Sequence, residues 1–462
     1  MTAVDHIYAY AGQSAVDSRG DRGGRALQLV TSGGAEPHPY FFEGELTHPR
    51  LTAQALRALS RLVGTRFFTP PAMLNRILLA ADPVITSGRG ALRFEGFSAC
   101  ASAYARVDLS DEAYAGDVTG FGTTNVDFNA AMRAALASVR DGEPLGFAVG
   151  QSEVVLRRVR GDIVERRVAL PTRWLKGFVE VQSYLSRMQH FAELSGVEAL
   201  RFLRALPRAK SGRTPAFLMP VAGATGGSLR IGATSTSDSV PVAGLERLRV
   251  LEDLAPMASR LRVHSDPQGE ATAWELQLGV LRFTLVLSAE TWRGFSGEGQ
   301  ALGALVRKRS RTDAIARVRA QLQWQSELDV TELAGRLELS REYVGEVLQL
   351  LGSRGLVGFD QHAGTYFHRE LPFDLSRVEA LAPRLTAARA LVAAGAVSLA
   401  DVEARRYFVE SNDVKYQVLV SVEGDPVQCT CPWHAKHRGA RGPCKHQLAV
   451  RLFVETSEGT DG

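Results

Sequence analysis

The amino-acid sequence predicts an α+β protein that divides into several domains. The chain has 462 residues, and because single hydrophobic cores stop growing near about 250–300 residues, roughly two to four domains are expected. Hydrophobic residues make up 45% of the chain, which excludes a largely disordered or fibrous protein. Segments with helical spacing alternate with segments of β character, and three of the four cysteines cluster within sixteen residues near the C-terminus.

Residues 1–172 are predicted to form an α/β domain. Apolar residues at helical spacing predict a helix over 51–63, a β segment spans 92–109, and a hairpin is expected over 154–169. The stretch 120–125 resembles a dinucleotide-binding fingerprint only loosely. Because its third glycine is missing and no clear strand precedes it, a simple turn is the favoured interpretation.

A long helix and a β-rich domain are predicted for residues 173–310. Apolar side chains at steps of three and four indicate a helix over 174–194. His190 lies off this apolar stripe and is expected to be solvated. From 216 to 287 the sequence consists of short alternating runs, which are typical of strands.

Three helices followed by a hairpin are predicted within residues 311–374. Asp329 and Ser340 are candidate N-caps for the second and third helices. Gly355 ends the third helix, and a tight hairpin is expected over 356–368. This order of elements resembles a winged helix-turn-helix.

A winged helix can read DNA, or it can serve only for packing or protein contact. The exposed start of the third helix offers Arg341 but also Glu342 and Glu346, whose carboxylates phosphates repel. Residues 301–374 contain ten basic and ten acidic residues, and the only basic concentration lies between positions 307 and 319. Packing or protein contact is therefore slightly favoured, and DNA reading stays open as the alternative.

The most specific motif is C-x-C, twelve intervening residues, and C-x-H, formed by Cys429, Cys431, Cys444 and His446. Three thiolates and one imidazole suit a tetrahedral Zn²⁺ ion. A long chain with only four cysteines and an expected cytosolic location disfavours a disulfide framework. A catalytic zinc ion would need an open coordination position and a nearby acid or base. Here four protein ligands fill the coordination shell, and no Asp or Glu occurs between Cys429 and Arg451. One structural rather than catalytic zinc ion is therefore predicted.

The elements around this motif are expected to form a small module at residues 404–462, reached through a helical connector at 375–403. Strands over 407–410 and 416–422 are predicted to lead into a tight knuckle at the first two cysteines. Gly442-Pro443 breaks the chain and fits the start of a helix. The predicted order is β-β-knuckle-loop-α.

The spacing of the last two ligands restricts where the helix can begin. Residues two apart in a helix point about 200° apart, so Cys444 and His446 can both bind one ion only if Cys444 lies at the N-cap or in the first turn. His434 and His437 are alternatives to His446. They are ranked lower because each is expected in mid-loop, without a helix to orient its ring.

This order and spacing resemble the SWIM zinc finger, a family defined by C-x-C, a variable gap and C-x-H. The resemblance covers about residues 404–454 and implies Cys429, Cys431, Cys444 and His446 as the zinc ligands. The whole chain is also similar to stand-alone bacterial SWIM-domain proteins. The family is linked to DNA binding and to protein–protein contact, and the bacterial proteins are associated with AAA+ ATPases and von Willebrand A-domain proteins. A complex of that kind is therefore an implied partner.

The loop between the cysteines is basic and holds one aromatic residue. It could bind phosphates or acidic groups while the indole stacks on a base. Alternatively, its cations only offset a zinc centre whose three thiolates leave it near a charge of −1. Both can hold together, and the predicted contact residues for nucleic acid or a protein partner are Trp433, Lys436, Arg438, Arg441 and Lys445.

The sequence predicts a non-enzymatic zinc-binding protein whose finger mediates protein–protein interaction, nucleic-acid interaction or both. No GxxxxGK[ST] loop, HExxH motif or GxSxG motif occurs in it. Cys100 is expected to be a small core residue, with a catalytic thiol as the alternative. The competing hypothesis is an enzyme with an unrecognised active site in residues 1–300, in which the finger docks substrate or nucleic acid.

A cytoplasmic location without membrane contact is expected. The N-terminus lacks the basic start and the apolar core of a secretion signal. The longest apolar run, residues 390–400, is shorter than the roughly 20 residues that a membrane-spanning helix needs.

Overall fold

The chain folds as a mixed α+β structure, which confirms the predicted fold class. A computed structural model describes residues 15–17, 26–28, 40–67, 83–117, 120–126, 128–167, 170, 172–208, 216–221, 227–292, 294–295, 312–371, 382–422, 425–439 and 441–458.

Helices occur along most of the described chain, with 3₁₀ turns at Asp111–Ala113, Leu245–Leu251 and Ala255–Met257. The α-helices are α1 (Pro49–Gly64), α2 (Ala130–Ala137), α3 (Thr172–Leu185), α4 (Gly196–Arg204), α5 (Thr312–Arg319), α6 (Val330–Leu337), α7 (Arg341–Ser353), α8 (Pro383–Ala393), α9 (Pro432–His437) and α10 (Lys445–Glu458).

The strands are β1 (Ala15–Asp17), β2 (Ala26–Gln28), β3 (Tyr40–Leu46), β4 (Val84–Gly88), β5 (Ala91–Phe97), β6 (Ala103–Ser110), β7 (Tyr114–Asp117), β8 (Gly122–Asn125), β9 (Leu145–Gly150), β10 (Glu153–Arg158), β11 (Ile163–Arg166), β12 (Gln189–Ser195), β13 (Ala216–Val221), β14 (Ser228–Gly232), β15 (Val240–Val242), β16 (Arg260–Ser265), β17 (Ala271–Leu278), β18 (Leu281–Ser288), β19 (Val357–Asp360), β20 (Thr365–His368), β21 (Val397–Asp401), β22 (Arg406–Ser411), β23 (Val414–Val420) and β24 (Pro426–Cys429).

The strands form several antiparallel sheets. The largest has eight strands in the order β12-β16-β17-β18-β6-β5-β4-β8, and a second has five in the order β11-β10-β9-β3-β7. Smaller sheets follow the orders β14-β13-β15, β1-β2 and β19-β20. Near the C-terminus, β21-β22-β23-β24 form a four-stranded meander.

Two main hydrophobic cores divide the described chain, beside a small buried cluster of Tyr40, Ala148 and Val155. The larger core runs from Phe41 to Leu371, so the helices and hairpin of the predicted winged helix share it with the two large sheets. The smaller core runs from Ala382 to Val450 and includes the three clustered cysteines. We call these two parts the main body and the C-terminal module. The finer domain boundaries given above stay predictions.

Helix α1 packs on strands β5 and β6 of the eight-stranded sheet. The contact is close at Gly96, because a Cβ atom placed there would lie only 2.6 Å from Cγ2 of Val63. The apolar side of α1 is fully buried at Leu56, Leu59 and Leu62. This face of the sheet is therefore sealed by apolar packing.

The opposite face of the same sheet is charged and is covered by the β19-β20 hairpin. Asp360 of the hairpin lies 3.4 Å, 3.3 Å and 2.8 Å from guanidinium nitrogens of Arg93, Arg106 and Arg282. In return, Arg369 donates to Glu95 of the sheet at 2.7 Å. Burial alone would raise the pKa of Asp360, but the three guanidiniums, Arg106 first, outweigh it and hold that pKa well below its usual range.

The predicted helix over 174–194 is wrong in its second half. Helix α3 ends at Leu185, and Gln189–Ser195 is the edge strand β12. A step of four residues fits one helical turn but also two strand repeats, so the apolar pair Met188 and Ala192 satisfied both patterns. His190 is exposed, as expected, although it lies on this strand.

Elements in the region predicted to be a winged helix lie where the sequence placed them. Helices α5, α6 and α7 precede the hairpin of β19 and β20. The Asp329 carboxylate accepts from the amide of Glu332 at 2.8 Å, and the Ser340 hydroxyl accepts from that of Tyr343 at 3.3 Å, so both are N-caps. The basic concentration at 307–311 lies outside the described residues.

The C-terminal module contains more strands than the sequence indicated. Part of the connector predicted as helical forms helix α8, but Val397–Asp401 is strand β21, which pairs with β22. Strand β24, which leads into Cys429 and pairs with β23, is a further strand beyond the two that the sequence predicted. Among the described residues, no helix is both long and apolar enough to cross a bilayer.

Replacing Asp360 with asparagine should destabilise the main body by about 3–5 kcal/mol, because buried guanidiniums would lose their counter-charge. The free energy of unfolding from denaturant titration measures this effect. Glu332→Gln is the matched control, since its exposed pair with Arg336 should contribute less than about 1 kcal/mol. Equal destabilisation by the two variants would contradict the role assigned to Asp360.

Candidate metal centre

Three chain segments bring the clustered cysteines and one histidine together. Strand β24 ends at Cys429, Cys431 is the N-cap of α9, and Cys444 directly precedes α10, whose second residue is His446. The β22–β23 hairpin that supports β24 turns at Asn412 and Asp413, with φ angles of 53° and 59°. Both residue types tolerate this left-handed conformation, which suits the tight turn.

The four side chains form a compact and buried group. Their ligand atoms all lie within 4.8 Å of one another. His446 Nδ1 is 3.8 Å from Cys429 Sγ and 4.0 Å from Cys444 Sγ. Tetrahedral ligands about 2.3 Å from a central ion are separated by roughly 3.8 Å. The spacing therefore fits four ligands around a single metal ion.

Two of the sulfur atoms also cap helices. Cys431 Sγ accepts a hydrogen bond from the amide of His434 at 3.4 Å. Cys444 Sγ accepts from the amide of Gln447 at 3.4 Å, and Gln447 Oε1 accepts from the amide of Cys444 at 3.1 Å. The second pair is a capping box in which sulfur replaces the usual hydroxyl. The expected N-cap position of Cys444 is confirmed, and at each helix start a backbone amide donates to a cysteine sulfur.

The imidazole of His446 is held by stacking. Its ring lies 4.3 Å from that of Tyr416, with an interplanar angle of 25°. His446 is only 4% exposed, and Nδ1 rather than Nε2 faces the cysteines. A metal ion in the group would therefore be bound through Nδ1, which leaves the proton on Nε2.

The three thiols perturb one another strongly. Hydrogen bonding with Cys431 raises the pKa of Cys429, and the same contact lowers the pKa of Cys431. Three thiolates at this separation repel one another in a buried site unless a cation lies between them. The donor set thus fits a metal ion that binds thiolate sulfur.

The alternative ligands His434 and His437 do not join the group. The expectation that they lie in mid-loop is wrong, since both are in the short helix α9. The ring of His437 lies 4.4 Å from that of Trp433 instead. Of the three histidines in this region, His446 alone has its ring nitrogen among the sulfur atoms.

Arg441 and Lys445, two of the predicted contact residues, make contacts within the chain. Arg441 forms an ion pair with Glu290 of the main body, and its guanidinium lies 5.0 Å from the ring centre of Trp292. Lys445 Nζ donates to the hydroxyl of Ser411 at 2.8 Å. Both residues therefore support the fold of the module or its position on the main body.

The remaining predicted contact residues differ in how accessible they are. The guanidinium of Arg384 lies 4.6 Å from the ring centre of Trp433, so one face of this indole is already occupied. Arg384 Nη1 also donates to the carbonyl oxygen of Arg441 at 3.1 Å. Lys436 and Arg438 are exposed.

Several residues of the centre were missed from the sequence. Gln447 stands three residues after Cys444, which is the capping-box spacing, so a local signal for it exists. Arg384, Glu290 and Trp292 are distant in the chain and carry no local signal. They were found only through their contacts with the module.

Cys100 and the stretch 120–125 belong to the main body and lie apart from this group. The Cys100 thiol accepts from the amide of Phe67 at 3.4 Å and lies 3.2 Å from the hydroxyl of Ser102. Burial would raise the pKa of Cys100, but these hydrogen bonds and that of Ser98 outweigh it and lower the pKa. Most of the stretch 120–125 is strand β8.

Comparison with known proteins leaves the family open. No protein-family model and no curated protein matches the chain. Among solved structures, 54% of the chain is similar to 98% of Proliferating Cellular Nuclear Antigen from Entamoeba histolytica, with 11% sequence identity and a TM-score of 0.36. A likeness this weak carries no argument about function.

Replacing Gln447 with alanine should weaken metal binding by about tenfold, because the side chain that holds the backbone at Cys444 is lost. Competition with a chromophoric chelator measures this affinity. Gln428→Ala, an exposed position on strand β24, is the matched control and should bind metal like the parent chain. Unchanged affinity in Gln447→Ala would show that the capping box does not support the site.

Proposed function

We propose that the chain is a non-enzymatic binding protein whose C-terminal module is a SWIM-type zinc finger. The observation that carries the proposal is the buried group of three cysteines and one histidine with mutually close ligand atoms. Four protein ligands complete a tetrahedral shell, whereas a catalytic zinc keeps one position for water. The proposed role of the ion is therefore structural.

Zinc is the metal that best suits this donor set. Thiolate sulfur favours Zn²⁺ over Mg²⁺ or Ca²⁺, which take oxygen ligands. One imidazole and three thiolates in a tetrahedral arrangement are typical of structural zinc sites. The proposed ligands are Cys429, Cys431, Cys444 and His446.

The winged helix proposed for residues 311–374 would serve packing rather than DNA reading. In α7, Val344 and Leu348 are fully buried in the main-body core. The exposed positions of its first turns are Arg341, Glu342 and Glu346, so carboxylates dominate the face that would meet phosphate. Like charges repel at close range, which disfavours a reading role for this helix.

The proposed interaction surface of the finger contains fewer cations than the basic stretch of the sequence suggests. Arg441 and Lys445 make internal contacts, whereas Lys436 and Arg438 are exposed. Two exposed cations give weak electrostatic attraction to a nucleic acid. Protein contact is therefore the favoured mode, and an AAA+ ATPase or von Willebrand A-domain complex is the partner that the SWIM resemblance suggests.

A buried set of titratable groups among the described residues of positions 1–300 also fits a non-enzymatic role. Arg93, Arg106 and Asp108 are at most 2% exposed and are paired with one another or with Asp360. Catalytic acids and bases must reach a substrate, which these sealed ion pairs do not. This set of groups therefore supports the fold.

Protein purified without added zinc should contain about one zinc ion per chain, measured by plasma mass spectrometry. In Cys444→Ser, the zinc content should fall well below one, and the C-terminal module should lose protection from amide exchange while the main body keeps it. Cys100→Ser is the matched control and should retain the metal. Clearly less than one zinc per parent chain, or a fully folded module in Cys444→Ser, would contradict the proposal.

The favoured protein-contact mode predicts that nuclease treatment leaves the captured partners unchanged in a pull-down from native cells. The double variant Lys436→Gln/Arg438→Gln should recover less of those partners, since it removes the exposed cations. Arg204→Gln/Arg208→Gln, at exposed main-body positions, is the charge-matched control. Loss of all partners after nuclease treatment would instead indicate a nucleic-acid bridge.

A further inference from the structure

Two adjoining cavities flank helix α1 on the main body. Their volumes are about 540 Å³ and 400 Å³, and both are lined by Arg50, Gln54 and Asp141. Sites for small organic molecules typically span about 300–1,000 Å³. Each cavity is therefore large enough for part of a small ligand, and together they form one two-part groove.

The smaller cavity is strongly basic. Arg50, Gln54 and Arg57 line it from one face of α1, where residues separated by one or two turns lie in a row. Arg140, which follows α2, lines it from the other side. Three guanidiniums thus meet in a cavity whose single lining carboxylate is that of Asp141.

Two of these guanidiniums are available to a ligand. Within the described residues, Arg57 and Arg140 make no ion pair or side-chain hydrogen bond, although each lines the cavity. Arg50 is paired with Asp141, whose side chain is 74% exposed. Such an exposed pair contributes little free energy, so an incoming anion can displace the carboxylate. Guanidinium forks match the oxygen atoms of a phosphate group and bind them in pairs.

The first turn of α1 adds to the attraction for an anion. This turn contains no acidic residue, and no side chain caps it at His48. The positive end of the helix dipole therefore lies in the same turn as Arg50.

The larger cavity has a different character. Leu51, Pro256 and Met257 give it an apolar wall, and Asp253 adds a carboxylate that also pairs with Arg61 at 2.6 Å. An apolar wall suits a flat ring, and a methionine side chain adapts to its shape. Carboxylates in this larger cavity can accept hydrogen bonds from hydroxyl or amino groups of a ligand, but they would repel a phosphate group placed there.

We propose that this groove binds a nucleoside phosphate. The phosphate lies in the smaller cavity against Arg50, Arg57 and Arg140, and the nucleoside lies in the larger cavity against Pro256 and Met257. The limited volume of the two cavities, and the carboxylates beside their arginines, favour a small ligand. A polynucleotide would need a long and uniformly basic surface. This site lies in the main body and does not depend on the proposed zinc finger.

The test is titration calorimetry of the full-length protein with ADP, pyrophosphate and a short single-stranded DNA. ADP should bind with a stoichiometry of one. Arg57→Gln/Arg140→Gln should lose more than about tenfold in affinity for both ADP and pyrophosphate. Met257→Ala should lose several-fold in affinity for ADP alone, because the apolar wall contacts only the nucleoside. Arg204→Gln, an exposed arginine on helix α4, should bind ADP like the parent chain.

Four binding results would overturn the proposal. They are undetectable ADP binding at millimolar concentration, an equal loss of ADP affinity in Arg204→Gln, a loss of pyrophosphate affinity in Met257→Ala, and tighter binding of the DNA than of ADP through the same arginines. Because the guanidiniums of Arg57 and Arg140 make no ion pair or hydrogen bond within the described residues, and glutamine keeps the backbone contacts of Arg140 with Glu143, the double variant should unfold at the same temperature as the parent chain. A lower unfolding temperature would itself contradict the partner-free arrangement on which the site rests.

Discussion

A charged sheet face can be buried only when a second element brings opposite charges to the same depth. Strands β5, β6 and β18 carry Arg93, Arg106 and Arg282 on one face, and the hairpin supplies the carboxylate of Asp360 to all three. A second ion pair has the opposite polarity: Arg369, which directly follows the hairpin, supplies the cation, and Glu95 of the sheet supplies the carboxylate. An unpaired charge at this depth would cost several kcal/mol (roughly 3–5), so the hairpin has one register on the sheet. The helices and hairpin of residues 312–371 consequently share the main-body core rather than forming a separate core.

The C-terminal module is built on a different principle. Its core is small, and a core in a domain of fewer than about 80 residues rarely supplies more than about 3–5 kcal/mol, so such domains commonly add a metal or disulfides. Cys429, Cys431 and Cys444 come from three separate segments of this core, so one ion would join β24, α9 and α10 at a single point. Two of these sulfurs also cap helices, which couples the metal ligands to helix formation.

Features that depend on residues close together in the chain could be predicted from the sequence, whereas features that depend on distant residues could not. The C-x-C and C-x-H pairs are local, so their spacing indicated the ligand set that the fold brings together. The N-caps Asp329 and Ser340 were likewise found from a few neighbouring residues. Strand β21 was missed because the mixed residues at 397–401, Val-Ser-Leu-Ala-Asp, fit several local structures, and only pairing with β22 decides between them. Ion pairs across the chain, such as that of Arg441 with Glu290, leave no local pattern to detect.

The basic stretch around the cysteines shows why local charge is a poor guide to a binding surface. Arg441 lies between the second and third cysteines, yet its guanidinium reaches Glu290 and Trp292 of the main body. Its carbonyl oxygen accepts from Arg384, whose guanidinium also covers Trp433. A change in the loop that carries the ligands would therefore alter both the fold of the module and its contact with the main body. Of the four cations predicted as contact residues, Arg441 therefore holds the module to the main body and Lys445 supports the fold of the module, which leaves Lys436 and Arg438 exposed.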